Sequence, residues 1–206
     1  MSSLFAASEL FDLIEKIENG ERLDHDAGVR MMKSQDILAL GYMANIVRER
    51  KNGNQTYFTV NRQINYPNVH EATMVYGSME STEERIDHLL KLRTLQDQTD
   101  EFLSFIPLSY DPKEDALFDG TMGSGTTTGI EDLKVLAISR ILLDNFDHIK
   151  AFWSMLGLKL TQVSLAFGVD YLDGYVEVMT KRAMTHMIQK AGRDAVERDG
   201  LGGSPC

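Results

Sequence analysis

Apolar residues recur every three or four positions in the first quarter of the chain, with polar residues between them. This spacing puts the apolar side chains on one face of a helix. It predicts three helices, over residues 8–19, 26–33 and 36–51. Asn52 and Gly53 then form a turn signal, after which the residues become β-branched and aromatic, as in a strand.

From residue 55 onward, short apolar runs alternate with amphipathic helices. Five runs predict strands, over residues 55–60, 71–76, 102–108, 149–155 and 172–178. Helices are predicted to begin near Ser81, Thr128, Leu158 and Thr180. Ser81 with Glu84, and Thr128 with Glu131, have the spacing of a capping box, in which two side chains satisfy unpaired backbone N–H groups at a helix start.

Alternation of strand and helix with short connections implies parallel strands joined by right-handed crossovers. A closed α/β barrel needs eight strands, more than the runs supply. We therefore predict an α/β fold, a partial (about five-stranded) parallel βα barrel with an N-terminal helical cap and a C-terminal helix. The predicted divisions are the helical cap over residues 1–54, the partial barrel over 55–199 and a flexible tail over 200–206.

The charge balance narrows the possible partners. The 206 residues include 21 Lys and Arg against 31 Asp and Glu, a formal net charge of −10. A field of that sign repels nucleic-acid backbones and anionic membrane surfaces. The first residues also lack the basic end and long apolar centre of a secretory signal. We predict a cytoplasmic protein that binds neither nucleic acid nor membranes.

The chain has one cysteine, Cys206. An intramolecular disulfide is therefore impossible. A cysteine-ligated zinc or iron–sulfur site needs several thiolates at short spacing, so we expect no metal site in this chain.

Several segments, in this order, resemble one enzyme family. They are residues 61–69 (Asn-Arg-Gln-Ile-Asn-Tyr-Pro-Asn-Val), 72–77 (Ala-Thr-Met-Val-Tyr-Gly), 83–93, 95–97, 105–108, 139–145, 148–153, 172–174, 191–193 and 196–199. The family is that of aminofutalosine synthase, a radical S-adenosylmethionine enzyme of the futalosine route to menaquinone. The resemblance extends from about Ile14 to Asp199.

The sequence departs from the family pattern directly after Val69. In the family, the Asn-Val at the end of the first strand leads into a loop with cysteines spaced C-x3-C-x2-C, which bind a [4Fe–4S] cluster that holds S-adenosylmethionine. Here Val69 is followed by His70 and Glu71, and the next segment resembles a much later strand. The resemblance thus implies an internally truncated relative without the cluster-binding loop, and we expect neither cofactor in this chain.

The resemblance also indicates a residual substrate-binding site at the carboxyl ends of the strands, where such barrels bind ligands. It would be lined by Asn61, Arg62, Asn65, Tyr76, Asp173 and Glu177. The alternative for the asparagines is a polar strand edge. For Asp173, which precedes Gly174, it is an ordinary turn.

Two functions follow as expectations. The first is a truncated homologue of a family that adds an adenosyl radical to 3-[(1-carboxyvinyl)oxy]benzoate, catalytically inert by itself because the cluster ligands are missing. The second is a non-catalytic binding or oligomerisation module that pairs through open sheet edges, with itself or with a full-length relative. A third reading, an enzyme of another kind, has no supporting arrangement of catalytic residues.

Overall fold

The computed structural model describes residues 2–59, 70–110, 127–174 and 179–198. Eight α-helices lie in these residues, after a 3₁₀ turn at Ser2–Phe5. They are α1 Phe11–Glu18, α2 His25–Lys33, α3 Ile37–Asn52, α4 Thr82–Thr99, α5 Gly129–Leu142, α6 Trp153–Leu156, α7 Leu158–Ser164 and α8 Lys181–Lys190. The six strands are β1 Gln55–Phe58, β2 Glu71–Tyr76, β3 Ser104–Ser109, β4 His148–Phe152, β5 Tyr171–Asp173 and β6 Asp194–Glu197.

All six strands are parallel and form one open sheet in the order β2-β3-β4-β5-β1-β6. The predicted α/β fold with parallel strands is therefore confirmed, and each of the five predicted strands overlaps an observed one. The sixth strand, β6, is not predicted by the sequence. It has only four residues, with an acidic residue at each end, and its strand conformation comes from pairing with the distant β1.

Side chains of alternate strand residues pack against the helices on one side of the sheet. On β2 these are Ala72, Met74 and Tyr76, which are buried while Thr73 and Val75 are exposed. The buried set continues across Phe105, Ile149, Leu172 and Phe58, and joins apolar side chains of α1 to α5 in one cluster. We call this side of the sheet the outer face and the opposite side the inner face.

Several helices begin directly after a polar side chain that caps the first turn. Asp24 and Asp36 cap α2 and α3 by accepting from backbone N–H groups three residues on, at 2.9 and 3.0 Å. Such a cap contributes about 1 kcal/mol. The capping box predicted at Ser81 is present in both directions, at 3.2 and 2.7 Å.

Two local predictions need correction. Thr128 accepts from the Glu131 backbone N–H at 3.2 Å, but the Glu131 carboxylate accepts from Arg85 on α4 at 2.7 Å, so the second capping box is only half formed. The strand predicted to run to residue 155 ends at Phe152, because Trp153 begins the short helix α6. Of the predicted strand 172–178, residues 175–178 lie outside the described residues.

Candidate functional site: the inner face of the sheet

The inner face carries charged and aromatic side chains. Because strand side chains alternate, it presents the residues between those of the apolar cluster. They include Glu71 on β2, Ser104 on β3, His148 and Lys150 on β4, Tyr171 and Asp173 on β5, and Tyr57 on β1 with Thr59 after it. Parallel pairing aligns Glu71 with Ser104 and Ser104 with His148 in one row, and Lys150 with Tyr171 and Tyr57 in the next.

Lys150 lies at the centre of the polar contacts in the row that it forms with Tyr171 and Tyr57. Its Nζ lies 2.6 Å from Glu71 Oε1 and 3.3 Å from Asp173 Oδ2. The same ammonium lies 4.7 Å from the centre of the Tyr171 ring. Burial alone would lower the pKa of Lys150, but Glu71 and Asp173 outweigh burial and raise it. Lys150 is therefore a fixed cation, able to orient a polar ligand and unsuited to act as a base or nucleophile.

A hydroxyl pair lies beside this cation. The Tyr171 hydroxyl and Thr59 Oγ1 are 2.6 Å apart. Burial raises the pKa of Tyr171, so the phenol stays protonated at neutral pH. Lys150, Tyr171 and Thr59 thus offer one cation and two neutral hydroxyls to a ligand.

A second, buried ionic network surrounds Asp170, which directly precedes β5. Asp170 and Arg140 on α5 are both fully buried and form an ion pair. Arg140 also donates to the carbonyls of Gly168, at 2.9 Å, and Phe146, at 3.2 Å. Asp170 accepts from the Ile149 backbone N–H at 2.8 Å and contacts His148 Nδ1 at 2.5 Å. Each charge is paired, as burial requires.

His148 connects this network to the end of the described chain. Its Nε2 lies 2.9 Å from Arg198 Nη1, and the Arg198 guanidinium lies 3.8 Å from the centre of the Tyr57 ring. The His148 ring also meets Tyr57 and Tyr171 edge-on, at 4.9 and 5.6 Å between centroids. The site is therefore preorganised by aromatic packing as well as by hydrogen bonds.

The six side chains predicted for the residual substrate site have different fates. Asp173 lies on the inner face, where Oδ2 faces Lys150 and Oδ1 accepts from the Gly174 backbone N–H at 2.8 Å. The second contact is a local interaction of the kind expected for an Asp that precedes Gly at a turn. Asn61, Arg62, Asn65 and Glu177 lie outside the described residues.

Tyr76 lies on the other face. It is fully buried, and its hydroxyl donates to Asp132 on α5 at 2.7 Å. Burial, with Asp132 next in importance, raises the pKa of Tyr76. The structure therefore does not bring Tyr76 together with Asp173. His70, at the position that follows the first-strand segment, is exposed, and its Nδ1 donates to the Glu101 carbonyl at 3.0 Å.

Four members of this site are not predicted from the sequence: Glu71, His148, Lys150 and Arg198. A signal was available for two of them, because His148 and Lys150 alternate with apolar residues in a strand that is otherwise buried. Arg198 gives no such signal, since it joins the site only through the pairing of β6 with β1.

Comparison with known proteins gives the relatives of this chain. Residues 99–196 match the family described as the CofH/MqnC C-terminal region. Aminodeoxyfutalosine synthase from Thermus thermophilus is 44% identical over 144 residues, covering 63% of this chain and 39% of that protein. The enzyme of the same name from Streptomyces coelicolor is 36% identical over 148 residues, covering 62% and 38%. This chain is similar to the aminodeoxyfutalosine synthases over more than three fifths of its own length.

The predicted resemblance is thus confirmed, and the chain spans about two fifths of the length of these aminodeoxyfutalosine synthases. A related protein is 5-amino-6-(D-ribitylamino)uracil–L-tyrosine 4-hydroxyphenyl transferase from Methanoculleus marisnigri, 43% identical over 103 residues, half of this chain and 28% of that protein.

Solved structures show the fold alone. The FeFe-hydrogenase maturase HydG from Carboxydothermus hydrogenoformans superposes with a TM-score of 0.67 at 8% identity, over 95% of this chain and 81% of that one. The described residues contain no helix long and apolar enough to cross a membrane.

Proposed function

We propose that this chain is a cluster-free relative of aminodeoxyfutalosine synthase that does not cleave S-adenosylmethionine by itself. One observation carries the proposal. The family to which the sequence is similar binds its iron–sulfur cluster through three cysteines, and this chain has one, at position 206. Iron–sulfur clusters are held by several thiolates, so the donor set of this polypeptide does not fit the group.

The inner face supports the same reading. His148 is engaged by Asp170 and Arg198, and Glu71 and Asp173 by Lys150. Among the described residues, no group of three His, Cys, Asp or Glu side chains could hold a metal ion. The role we assign is therefore binding in the menaquinone route, with Lys150 and the Tyr171 hydroxyl as the groups that would orient a polar ligand.

Anaerobic reconstitution with iron and sulfide, followed by electron paramagnetic resonance of the reduced protein, tests the proposal. We expect no cluster signal from this chain. The Thermus thermophilus enzyme, treated in parallel, is the positive control. A cluster signal that changes when S-adenosylmethionine is added would refute the proposal.

A second candidate function, self-association, has support from the edge strand β2. Within the described residues β2 pairs with β3 alone, and it contains neither proline nor lysine, the residues that commonly protect an edge. The Tyr76 carbonyl accepts from the Tyr110 N–H at 2.7 Å, so even-numbered residues bond to β3. By alternation, Thr73 and Val75 direct their backbone groups to the free edge.

A symmetric antiparallel pair of β2 strands centred on Thr73 would place Glu71 opposite Val75 of the second copy. No like charges would then face each other. The other edge of the sheet differs, because β1 is covered by β6, whose ends are acidic.

Light scattering after gel filtration tests this second candidate. We expect a dimer for the unmodified chain and a monomer for Val75→Lys, which puts a charge on the free edge. Leu38→Lys is the matched control, because Leu38 is also an exposed apolar residue, at 71% against 59% for Val75, on a helix away from β2. A monomeric unmodified chain, or a dimer that survives Val75→Lys, contradicts pairing through β2.

A further inference from the structure

Strand β6 is attached to the sheet differently from its neighbours. It pairs with β1 over four residues, from Gln55 with Asp194 to Phe58 with Glu197. None of its four side chains is buried, whereas β1 buries three of four. Ala195 packs, partly buried, against the apolar cluster, and backbone pairing with polar side chains at the two ends of β6 supplies the other contacts.

At the start of β6 the contacts involve the side chains of Arg193 and Asp194. Arg193 Nη2 donates to Asn45 Oδ1, at 2.5 Å, and to the Leu165 carbonyl, at 3.1 Å. Asn54 Nδ2 donates to Asp194 Oδ2 at 3.1 Å. These contacts contain no histidine, so this end keeps its charges between pH 5 and 8.

At the other end, a single side chain ties the strand to the sheet interior. Arg198 follows β6, and its backbone N–H donates to the Phe58 carbonyl at 3.0 Å. Its Nη1 lies 2.9 Å from His148 Nε2, and its guanidinium stacks on Tyr57.

The chemistry of these groups fixes the protonation state of His148. An arginine only donates hydrogen bonds, so Nε2 of His148 must accept. The ring proton is then on Nδ1, where it is donated to Asp170 Oδ2 at 2.5 Å. In this arrangement His148 is neutral and both of its nitrogens are satisfied.

We propose that His148 and Arg198 form a proton-operated latch that holds β6 on the edge of β1. A proton added to Nε2 removes the acceptor and puts two donors, both cationic, 2.9 Å apart. The imidazolium keeps its bond to Asp170, so Arg198 is the partner that must leave. The latch is therefore closed with neutral His148 and opens when Nε2 gains a proton, so acidification opens it.

The other charged groups that face His148 are paired. Asp170 is paired with Arg140, and Glu71 with Lys150. Tyr57, Tyr171 and Ser104 contribute only hydroxyl groups. Glu197 on β6 is paired with Lys181 on α8. Opening the latch would free the edge of β1 for pairing with another strand.

Amide hydrogen exchange, measured by NMR and divided by the intrinsic rate at each pH, tests the latch. We expect the protection factor of the Arg198 backbone N–H to fall about tenfold between pH 7.5 and 5.5, the size expected from losing one hydrogen bond. The Tyr57 N–H, which donates to the Asp170 carbonyl at 2.7 Å, belongs to the other side of β1 and should keep its protection. At pH 7.5 the nitrogen shifts of His148 should show a proton on Nδ1.

Two variants and a control test whether His148 and Arg198 cause the pH-dependent change in protection. His148→Gln cannot titrate, and Arg198→Gln keeps a donor without the charge, so each should abolish the pH step. His186→Gln changes an exposed histidine on α8 and should retain it. Unchanged Arg198 protection in the unmodified protein, a step that persists in either variant, or a proton on Nε2 at pH 7.5 would overturn the latch. If His148→Gln does not fold, Arg198→Gln makes the same test.

Discussion

The outer face of the sheet carries the apolar side chains that stabilise the fold, and the inner face carries charged side chains that could bind a ligand. On the outer face, Met74 and its neighbours form a continuous apolar layer with the helices. On the inner face, Lys150 and His148 are held in charged networks at fixed distances. The apolar core therefore lies on the side of the sheet that faces the helices, and the charged side chains that a ligand would meet lie on the opposite side.

Asp170 connects the two faces, and its replacement should have the largest effect. Asp170→Asn removes the charge that balances fully buried Arg140 and the acceptor of His148. Breaking a buried pair costs about 3–5 kcal/mol, and urea unfolding measures it. Asp194→Asn, at an exposed site, is the control and should change stability by less than about 0.5 kcal/mol. Equal effects of the two changes would refute the buried network.

Met74 and Val75 are adjacent on β2 and lie on opposite faces, so truncating each one compares how much the two faces contribute to stability. Met74→Ala removes a side chain that is 5% exposed on the outer face, and we expect a loss of about 2–4 kcal/mol. Val75→Ala, on the inner face at 59% exposure, should cost less than about 0.5 kcal/mol. Chemical denaturation of both variants measures the difference, and a costlier Val75→Ala would reverse our assignment of the faces.

Replacing Lys150 with a neutral side chain should lower the free energy of unfolding by less than Met74→Ala does. Lys150→Met keeps the apolar stem but leaves Glu71 and Asp173 without their cation, for a loss of about 2 kcal/mol at pH 7. Adding Glu71→Gln should recover part of the loss, because it removes one of the two unpaired carboxylates. A double variant as unstable as the sum of the single ones would show that the two side chains do not interact.

Much of the outer face and little of the inner face follow from the sequence. The alternation in β2 and the Ser81 capping box are local patterns, and the structure contains both. Asp170 reads as a loop residue, because its importance depends on Arg140, 30 positions away, and on His148. Arg198 and β6 depend on a pairing with β1 across most of the chain. Such contacts arise from the tertiary fold and have no local signal.

The smallest expected effect lies at the carboxyl end of β2. Burial alone would raise the pKa of Glu80, but the backbone N–H groups of Gly77 and of Glu80 itself, then Ser78 and Arg85, lower it to about 2. The unfolded value is near 4.5, so Glu80 contributes stability above that pH and loses it as the pH falls towards 2. After discounting for solvent screening, Glu80→Gln should cost about 1 kcal/mol at pH 7 and less at pH 3. A cost that does not shrink on acidification would contradict the role of the Glu80 charge.

The central proposal is that this polypeptide holds no iron–sulfur cluster and does not pass an electron to S-adenosylmethionine. The most direct measurement is the amount of 5′-deoxyadenosine formed when the reconstituted chain is incubated anaerobically with dithionite and S-adenosylmethionine. We expect none above the protein-free control. Formation of 5′-deoxyadenosine by this chain alone would contradict the account.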